Sequence, residues 1–475
     1  MFRRFRRERD EPPDGAIRKL GFNEDGCVAL GETVSFPVTF AVFLKSKTEI
    51  THEMMLKSLQ AVTRKHPLLR VKVIKNSAGY RYYVPIDNWE GCLNLTTRKA
   101  TDWHQIAAEA GDKKIDASAG PLWFADLLEM EELEGTEDKK SYVLIMVFNH
   151  AILDGKSGVF VMNDIVRNLN LAVDGCVDQD EAEILPIAPC MEEALPPEIQ
   201  LGFFGFLKLL FVIAKLMRRG VNEYMKQYPA RVQREPDVKI GTYFYDFSIP
   251  MAPLLERCRA EKVTVQGAVT AAAYIALLHV IRAKNPEITK IKMGSNYIAD
   301  YRRFCRPVLA PDFMGFHAVA SLLNPVEVTS NVSDPSYFWS IARRVTTEIH
   351  EYIGDQTRPI QMLRLASRLV SYESLGKKMP AQRARGERAA DAFGVSNIGN
   401  VDPIMTAGQP GSSVEVTKVL WGTNGANICP PFMHFLMSVR GKLVWTLNWY
   451  SNISTEEEAE AYAKEIQEVL NRAIL

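Results

Sequence analysis

A histidine closes an apolar run, with an aspartate and a glycine at the fourth and fifth positions after it: Asn149-His150-Ala151-Ile152-Leu153-Asp154-Gly155. Histidine titrates near neutrality, so an imidazole here can take a proton from a hydroxyl or amine and return it later in the cycle. Such a base must be held still. The residues before it, Tyr142 to Phe148, read YVLIMVF. This run is short, rich in β-formers and bounded by polar residues, which predicts a buried strand ending at the histidine. After Gly155, the residues Val159, Met162, Ile165, Val166 and Leu169 share one helical face. The chain therefore turns from strand to helix between His150 and Gly155. Gly155 is expected to take a positive φ in that turn, and Asp154 to pair with an arginine that holds it. The competing reading is a core histidine satisfied by ordinary hydrogen bonds.

The elements that must position this segment lie in a chain of 475 residues, long enough for two domains or large subdomains. Hydrophobic residues make up 47% and charged residues 24%, ordinary globular proportions. Lys+Arg and Asp+Glu both number 57, so no net field favours nucleic acid. The seven cysteines form no C-x-x-C pair, which argues against a zinc site and fits free thiols in a reducing compartment. The basic start MFRRFRRERD lacks the apolar segment of a signal peptide. A cytoplasmic location is expected, and the sequons at Asn94, Asn331 and Asn452 are read as chance matches. No phosphate-binding loop, dinucleotide fingerprint or metal-ligand cluster is found.

Residues 1–15 read as a mobile basic arm. Residues 28–46 read as strand material, and Thr51 opens a helix that Pro67 stops. A hairpin is expected over 69–75 and 79–84. Strands resume at 240–249, and a helix over 264–283 starts at Thr264. Further strands are expected at 291–298, 316–322, 434–439 and 443–449, with a closing helix over 455–474. Between the halves lies a crossover, 176–238, containing the very apolar stretch 201–217, LGFFGFLKLLFVIAKLM. Its two lysines, Lys208 and Lys215, fall on one helical face. The stretch fits an amphipathic helix lying on a membrane, or equally a crossover helix packed on the protein's own core. The expected organisation is an N-terminal subdomain over 16–175 and a C-terminal one over 239–475, in an α/β (α+β) architecture.

These residues resemble the CoA-dependent acyltransferase superfamily, which includes chloramphenicol acetyltransferase, condensation domains, wax ester synthases and alcohol acetyltransferases. Its hallmark H-H-x-x-x-D-G stands here as Asn149-His150-x-x-x-Asp154-Gly155, with asparagine at the first histidine position. Further similar segments follow in order: CRAEKVTVQGAVTAAA at 258–273, NYIADYRRFCRPVLAPDFMG at 296–315 and GVSNIGN at 394–400. The D-F-G-W motif of the plant BAHD enzymes is missing. The resemblance implies two chloramphenicol-acetyltransferase-like subdomains forming a V with a tunnel between them. It implies His150 as general base and Arg302, or else Arg303, as the partner of Asp154. Ser396 or Asn397 is the implied oxyanion donor, against a plain polar turn. Asn149 and His317 are further candidates at the tunnel.

No bound cofactor or metal is expected, and acyl-CoA is the implied co-substrate. The acceptor is an alcohol or amine, hydrophobic if 201–217 touches a membrane, and a monomer is expected. Two other functions fit the same residues: a condensation-type enzyme taking acyl groups from a carrier protein, and a non-catalytic lipid- or protein-binding member. His66 and His434 are given no chemical role. The cluster Arg383, Arg385, Glu387 and Arg388 reads as a charged loop that could meet CoA phosphates.

Overall fold

Runs rich in β-branched and aromatic residues become the buried strands of the computed structural model. It describes residues 11–131, 139–176, 183–203, 205–207, 210–211, 214, 223–227, 242–330, 335–384, 391–425, 428–451 and 453–475. The first half runs β1 (Arg18–Lys19), α1 (Phe22–Val34), β2 (Pro37–Ser46), α2 (His52–Lys65), β3 (Val71–Lys75), β4 (Arg81–Pro85), β5 (Leu95–Ala100), α3 (Trp103–Asp112), β6 (Trp123–Met130), β7 (Lys140–Asn149) and α4 (Gly155–Val173). The second begins β8 (Thr242–Pro250), α5 (Met251–Ala260), α6 (Val265–Lys284), β9 (Lys290–Asp300), β10 (Ala318–Leu322), β11 (Val326–Thr329), α7 (Pro335–Gly354), α8 (Thr357–Leu369) and α9 (Tyr372–Ala384). It ends β12 (Asp391–Asn400), β13 (Val414–Thr423), β14 (Phe432–Val439), β15 (Lys442–Tyr450) and α10 (Glu456–Ile474). The result is the mixed α/β architecture expected.

Two sheets dominate. One has the order β13-β2-β7-β6-β5, and the other β10-β9-β12-β14-β15-β8 with β11 also on β9. β7, which carries the histidine motif at its end, is central to the first sheet and paired on both sides. Val38 lies opposite Phe148 on one edge and Trp123 opposite Phe148 on the other. Such a strand is buried on both faces, which explains its continuous apolar run. β13 follows β12 in sequence yet joins the first-half sheet, antiparallel to β2. The division by sequence at 239 therefore does not match the division by sheet.

Helix starts follow their side-chain caps. Thr51, Thr264 and Thr455 each accept a hydrogen bond from the third backbone N–H of the following helix. α6, alanine-rich and buried from Gly267 to Leu278, packs between the second sheet and α7 and α10. One expectation fails: 28–46 is not continuous strand, because residues to Val34 form α1. Asn23 to Leu30 is buried on nearly every side, so no amphipathic stripe marked it as helical. Glu24 and Asp25 in its first turn complement the helix dipole, and Glu24 also accepts from Gly21 N–H. Residues 1–10, 132–138, 177–182, 204, 208–209, 212–213, 215–222, 228–241, 331–334, 385–390, 426–427 and 452 lie outside the described set, and with them most of the basic arm, much of the crossover and two of the three sequon asparagines.

Candidate active site

β7 delivers His150 to the boundary between the halves. Its Nδ1 lies 2.8 Å from the carbonyl oxygen of Leu153, three residues on. A carbonyl only accepts, so Nδ1 carries the proton and Nε2 keeps its lone pair. The ring sits between two phenylalanines, with Phe316 edge-on at 4.7 Å and Phe36 at 5.5 Å between centroids. Burial lowers the imidazole pKa, opposed by the Leu153 carbonyl and the Asp154 charge. The neutral form, the one able to accept a proton, therefore prevails at neutral pH.

Asp154 does not touch the imidazole through any hydrogen bond. It caps α4, accepting from Ser157 N–H at 2.9 Å. Its carboxylate also takes two contacts from the Arg302 guanidinium, 2.7 and 3.2 Å, and one from His317 N–H at 3.0 Å. Both Asp154 and Arg302 are at least 97% buried. Burial alone pushes the carboxyl pKa up; the guanidinium charge and hydrogen bonds overcome this and hold it well below the usual carboxylate range. Arg302 also donates to Ser157 Oγ at 2.8 Å, and Ser157 Oγ donates to Gly315 O at 3.1 Å. The strand-to-helix turn of the first half is thus bolted to residues 302, 315 and 317 of the second. Arg303 is exposed and lies instead beside the Phe304 ring.

Gly155 is needed for space rather than for a special φ, since it is not among the positive-φ glycines. A Cβ there would sit 2.8 Å from the Trp421 ring and 3.0 Å from Ile398. The expected positive φ is corrected accordingly. The turn is closed by Asn149, whose side-chain oxygen accepts from Ala151 N–H at 3.0 Å, and by Tyr83, whose hydroxyl donates to Ala151 O at 2.9 Å. Asparagine at this position therefore makes a side-chain-closed turn.

A cavity of about 1020 Å³ reaches this point. His150, Asp154, Gly155, Arg302, Ser396 and Asn397 all border it; Asn149 and His317 do not. His317 is buried with Nε2 3.4 Å from Pro189 O, and burial and the nearby Arg302 lower its pKa. Asn397 accepts with its side-chain oxygen from Gly399 N–H at 2.9 Å. The inner wall is apolar, with Leu30, Phe36, Phe316, Met362, Leu375 and Met379. Exposed residues Lys292, Leu322, Asn324, Glu351 and Arg358 border it at the surface. Its volume is at the top of the range for small-molecule sites. Sequence reading missed Ser157, Phe316 and Trp421; no local pattern marks them, since each reaches the site through tertiary packing.

The remaining histidines singled out are structural. His66 pairs with Asp164 at 2.7 Å, and His434 is enclosed by Trp445 and Tyr462, with burial pulling its pKa down to about 3. Among the described residues, no group of three or more His, Cys, Asp or Glu is placed to hold a metal. Arg385, Glu387 and Arg388 lie outside the described residues, as does the side chain of Arg383.

Solved structures share the fold over nearly the whole chain. The trichothecene 15-O-acetyltransferase TRI3 of Fusarium sporotrichioides superposes with a TM-score of 0.70 at 14% identity, covering 96% of this chain and 95% of that one. The epimerization domain of tyrocidine synthetase B gives 0.59 at 11% identity, covering 98% and 99%. The starter condensation domain of rhizomide synthetase, in complex with C8-CoA, gives 0.56 at 13% identity, covering 96% and 95%. The chain shares the fold of these acetyltransferase, epimerization and condensation structures. Sequence likeness is narrower. The nonribosomal peptide synthetases opaA of Aspergillus ustus and vlms of a Lecanicillium species match at 23% over 137 residues and 29% over 131 residues. These cover 28% and 27% of this chain but only 3% and 1% of those very long proteins. No family model matches the chain.

Proposed function

We propose that the protein is an acyltransferase that moves an acyl group from acyl-CoA to a hydroxyl, or amine, of a hydrophobic acceptor, with His150 as general base. The observation that carries this reading is the Leu153 carbonyl on Nδ1, which fixes Nε2 as the basic nitrogen on a cavity wall. In the reaction, Nε2 takes the acceptor O–H proton as the oxygen attacks the thioester carbonyl carbon. The carbonyl π electrons pass to oxygen, and the resulting oxyanion needs a donor, for which Ser396 and the Nδ2 of Asn397 are candidates. Collapse of the intermediate re-forms the carbonyl and breaks the C–S bond. The imidazolium returns its proton to the departing sulfur, giving ester and free CoA thiol. Asp154 takes no proton; it is a positioning residue, unlike the acid of a serine-hydrolase triad. Lys292 and Arg358 at the exposed border offer positive charge to CoA phosphates.

The test incubates purified protein with a panel of acyl-CoAs and alcohols and measures released thiol. His150→Ala should lower the rate about a hundredfold or more, because general base catalysis contributes ~10²–10⁴. Equal background release from both proteins across the panel would overturn the reading in favour of a binding module. The likeness to condensation and epimerization domains supports a second donor class, an acyl group on a carrier protein supplied separately. Turnover with acyl-carrier thioesters and none with acyl-CoA would select it.

A further inference from the structure

We propose that the free edge of β10 is a docking strand for an extended peptide, and that the acceptor led to His150 is therefore peptide-like. The second clause rests on the acyltransfer reading; the first does not. β10 stands at the end of its sheet and pairs with β9 alone. Tyr301 N–H donates to His317 O at 2.8 Å, and Leu323 N–H donates to Ser295 O at 2.9 Å. In an antiparallel ladder such bonded pairs recur at every second residue. Val319 and Ser321 therefore turn their backbone groups to β9, opposite Ala299 and Tyr297. Ala318, Ala320 and Leu322 turn their N–H and C=O groups the other way, and none of these groups has a hydrogen-bond partner among the described residues. All five residues of β10 border the cavity. Free edges are ordinarily blunted by charge, proline or a bulge. The sequence of β10, AVASL, carries no charge and no proline, and its pairing with β9 runs without a break in register.

The space around the edge selects the occupant. Residues opposite each other in register share a face of the sheet, so Ser321 stands with Tyr297, and Ala320 with Ile298. The cavity opens on both faces. On one, Tyr297, Tyr301 and Ser321 border it together with Tyr352 of α7, whose hydroxyl lies 3.5 Å from that of Tyr301. On the other, Asn296 and Ile298 border it. An extended peptide sends successive side chains to opposite sides and needs room on both. The pantetheine arm of a thioester donor, branched only by one pair of methyl groups, does not. Helices α1, α8 and α9 contribute Cys27, Met362 and Tyr372 to the same cavity, and a helix has no strand edge to offer β10. The edge also leads to the base. Phe316, two residues before Ala318, packs edge-on against the His150 ring, while Leu322 and Asn324 at the other end are exposed. At 3.4 Å per residue, β10 spans about 14 Å, enough for roughly four or five residues of a paired peptide between the surface and the imidazole. An amine or hydroxyl at the inner end of that peptide would give its proton to Nε2 and take the acyl group as described above. Backbone pairing would supply affinity, and the two faces would choose alternate side chains.

Fluorescence anisotropy of the full chain with a fluorescein-labelled pool of short peptides tests this, the pool alternating Val or Leu with Ser or Tyr. Two further pools carry N-methyl groups, one on the odd amides and one on the even. Only one edge of a docked peptide strand faces β10, so one methylated pool should bind about tenfold or more weaker than the parent pool and the other about equally well. Ala320→Pro removes the outward N–H at the middle of the edge and leaves the β9 ladder its bonds. It should weaken the parent pool about tenfold while keeping the melting temperature and the binding of free CoA. The methylated pools need no variant, so the proposal stands or falls even if Ala320→Pro does not fold. No saturable binding of the parent pool below ~1 mM, or equal binding of both methylated pools, overturns it. Weakening of CoA as large as that of the peptides assigns the edge to the donor's arm and overturns it too. Peptide binding with the predicted methylation pattern, but no thiol release from acyl-CoA in its presence, would sink the acyltransfer reading and leave the docking strand standing.

Discussion

Replacing Arg302 with methionine removes a cation that is 97% buried and leaves its partner behind. The Asp154 carboxylate would lose both guanidinium contacts and keep only two backbone donors, Ser157 N–H and His317 N–H. Breaking a buried pair from one side costs about 3–5 kcal/mol. Arg302→Met should therefore lose about that much stability at pH 7, and the loss should depend on pH with a defined sign. In the native protein the folded-state pKa of Asp154 is depressed, so its contribution is fully present above the unfolded-state value and is lost only in strong acid. In the variant, burial without the cation raises the folded-state pKa. The penalty is then largest at neutral pH and shrinks as the pH falls through that raised value and the carboxyl takes a proton. Chemical denaturation of parent and variant at pH 7 and pH 5 measures this. Arg302→Lys should recover only part of the loss, because an ammonium cannot reproduce the two-pronged contact with Asp154 or the bond to Ser157. A difference below about 1 kcal/mol at pH 7, or one that grows toward pH 5, would refute the electrostatic account of the clamp.

Three further outcomes follow from the site. The pH profile of kcat/KM should fall on the acid side with a pKa below the usual histidine range and stay flat through neutrality, because burial favours the neutral base; an acid limb above pH 7 would contradict this. Gly155→Ala should cost about 1–3 kcal/mol by thermal or chemical unfolding, since its Cβ would press on the Trp421 ring at 2.8 Å, and the smaller Trp421→Phe should rescue part of it. Asn149→Ala should lower acyl transfer through a looser turn, with the pH profile unmoved and Asn149→Asp restoring part of the rate, because the group required is the oxygen that accepts from Ala151 N–H.

What could be read from the sequence was local. β7 announced itself as an unbroken apolar run, and Thr51 and Thr264 marked helix starts that the structure shows as side-chain caps. The helices that failed to show, such as α1 and α9, pack on each other, and neither carries a pronounced apolar stripe. Gly26 faces the Tyr372 ring and Gly376 faces Thr33, so their contact is made through glycines where a periodicity argument looks for leucines. The place of β13 was also hidden. Its composition says strand, but only its pairing, Leu420 opposite Ala41 and Trp421 opposite Phe40, says which sheet. Register across nearly 380 residues is a tertiary fact.

The same limit governs the site, and there it has a chemical consequence. The motif from His150 to Gly155 can be read from six residues, but what orients it is 148 residues away in the guanidinium of Arg302. The aspartate in the motif is turned to that cation, and the imidazole is oriented by a backbone carbonyl of its own turn. The base is therefore as rigid as the turn, and the turn is as rigid as the junction between halves. Lys418 and His104 lie 2.7 and 3.5 Å from the Asp246 carboxylate on β8, tying the first-half sheet and α3 to the second sheet. Widening the junction to admit a larger acceptor would pull on Asp154 before it touched His150. Changes that enlarge the cavity should accordingly be tolerated on α8 and α9, whose residues border it without joining the clamp, and not around residues 313–317, whose backbone atoms are clamp partners.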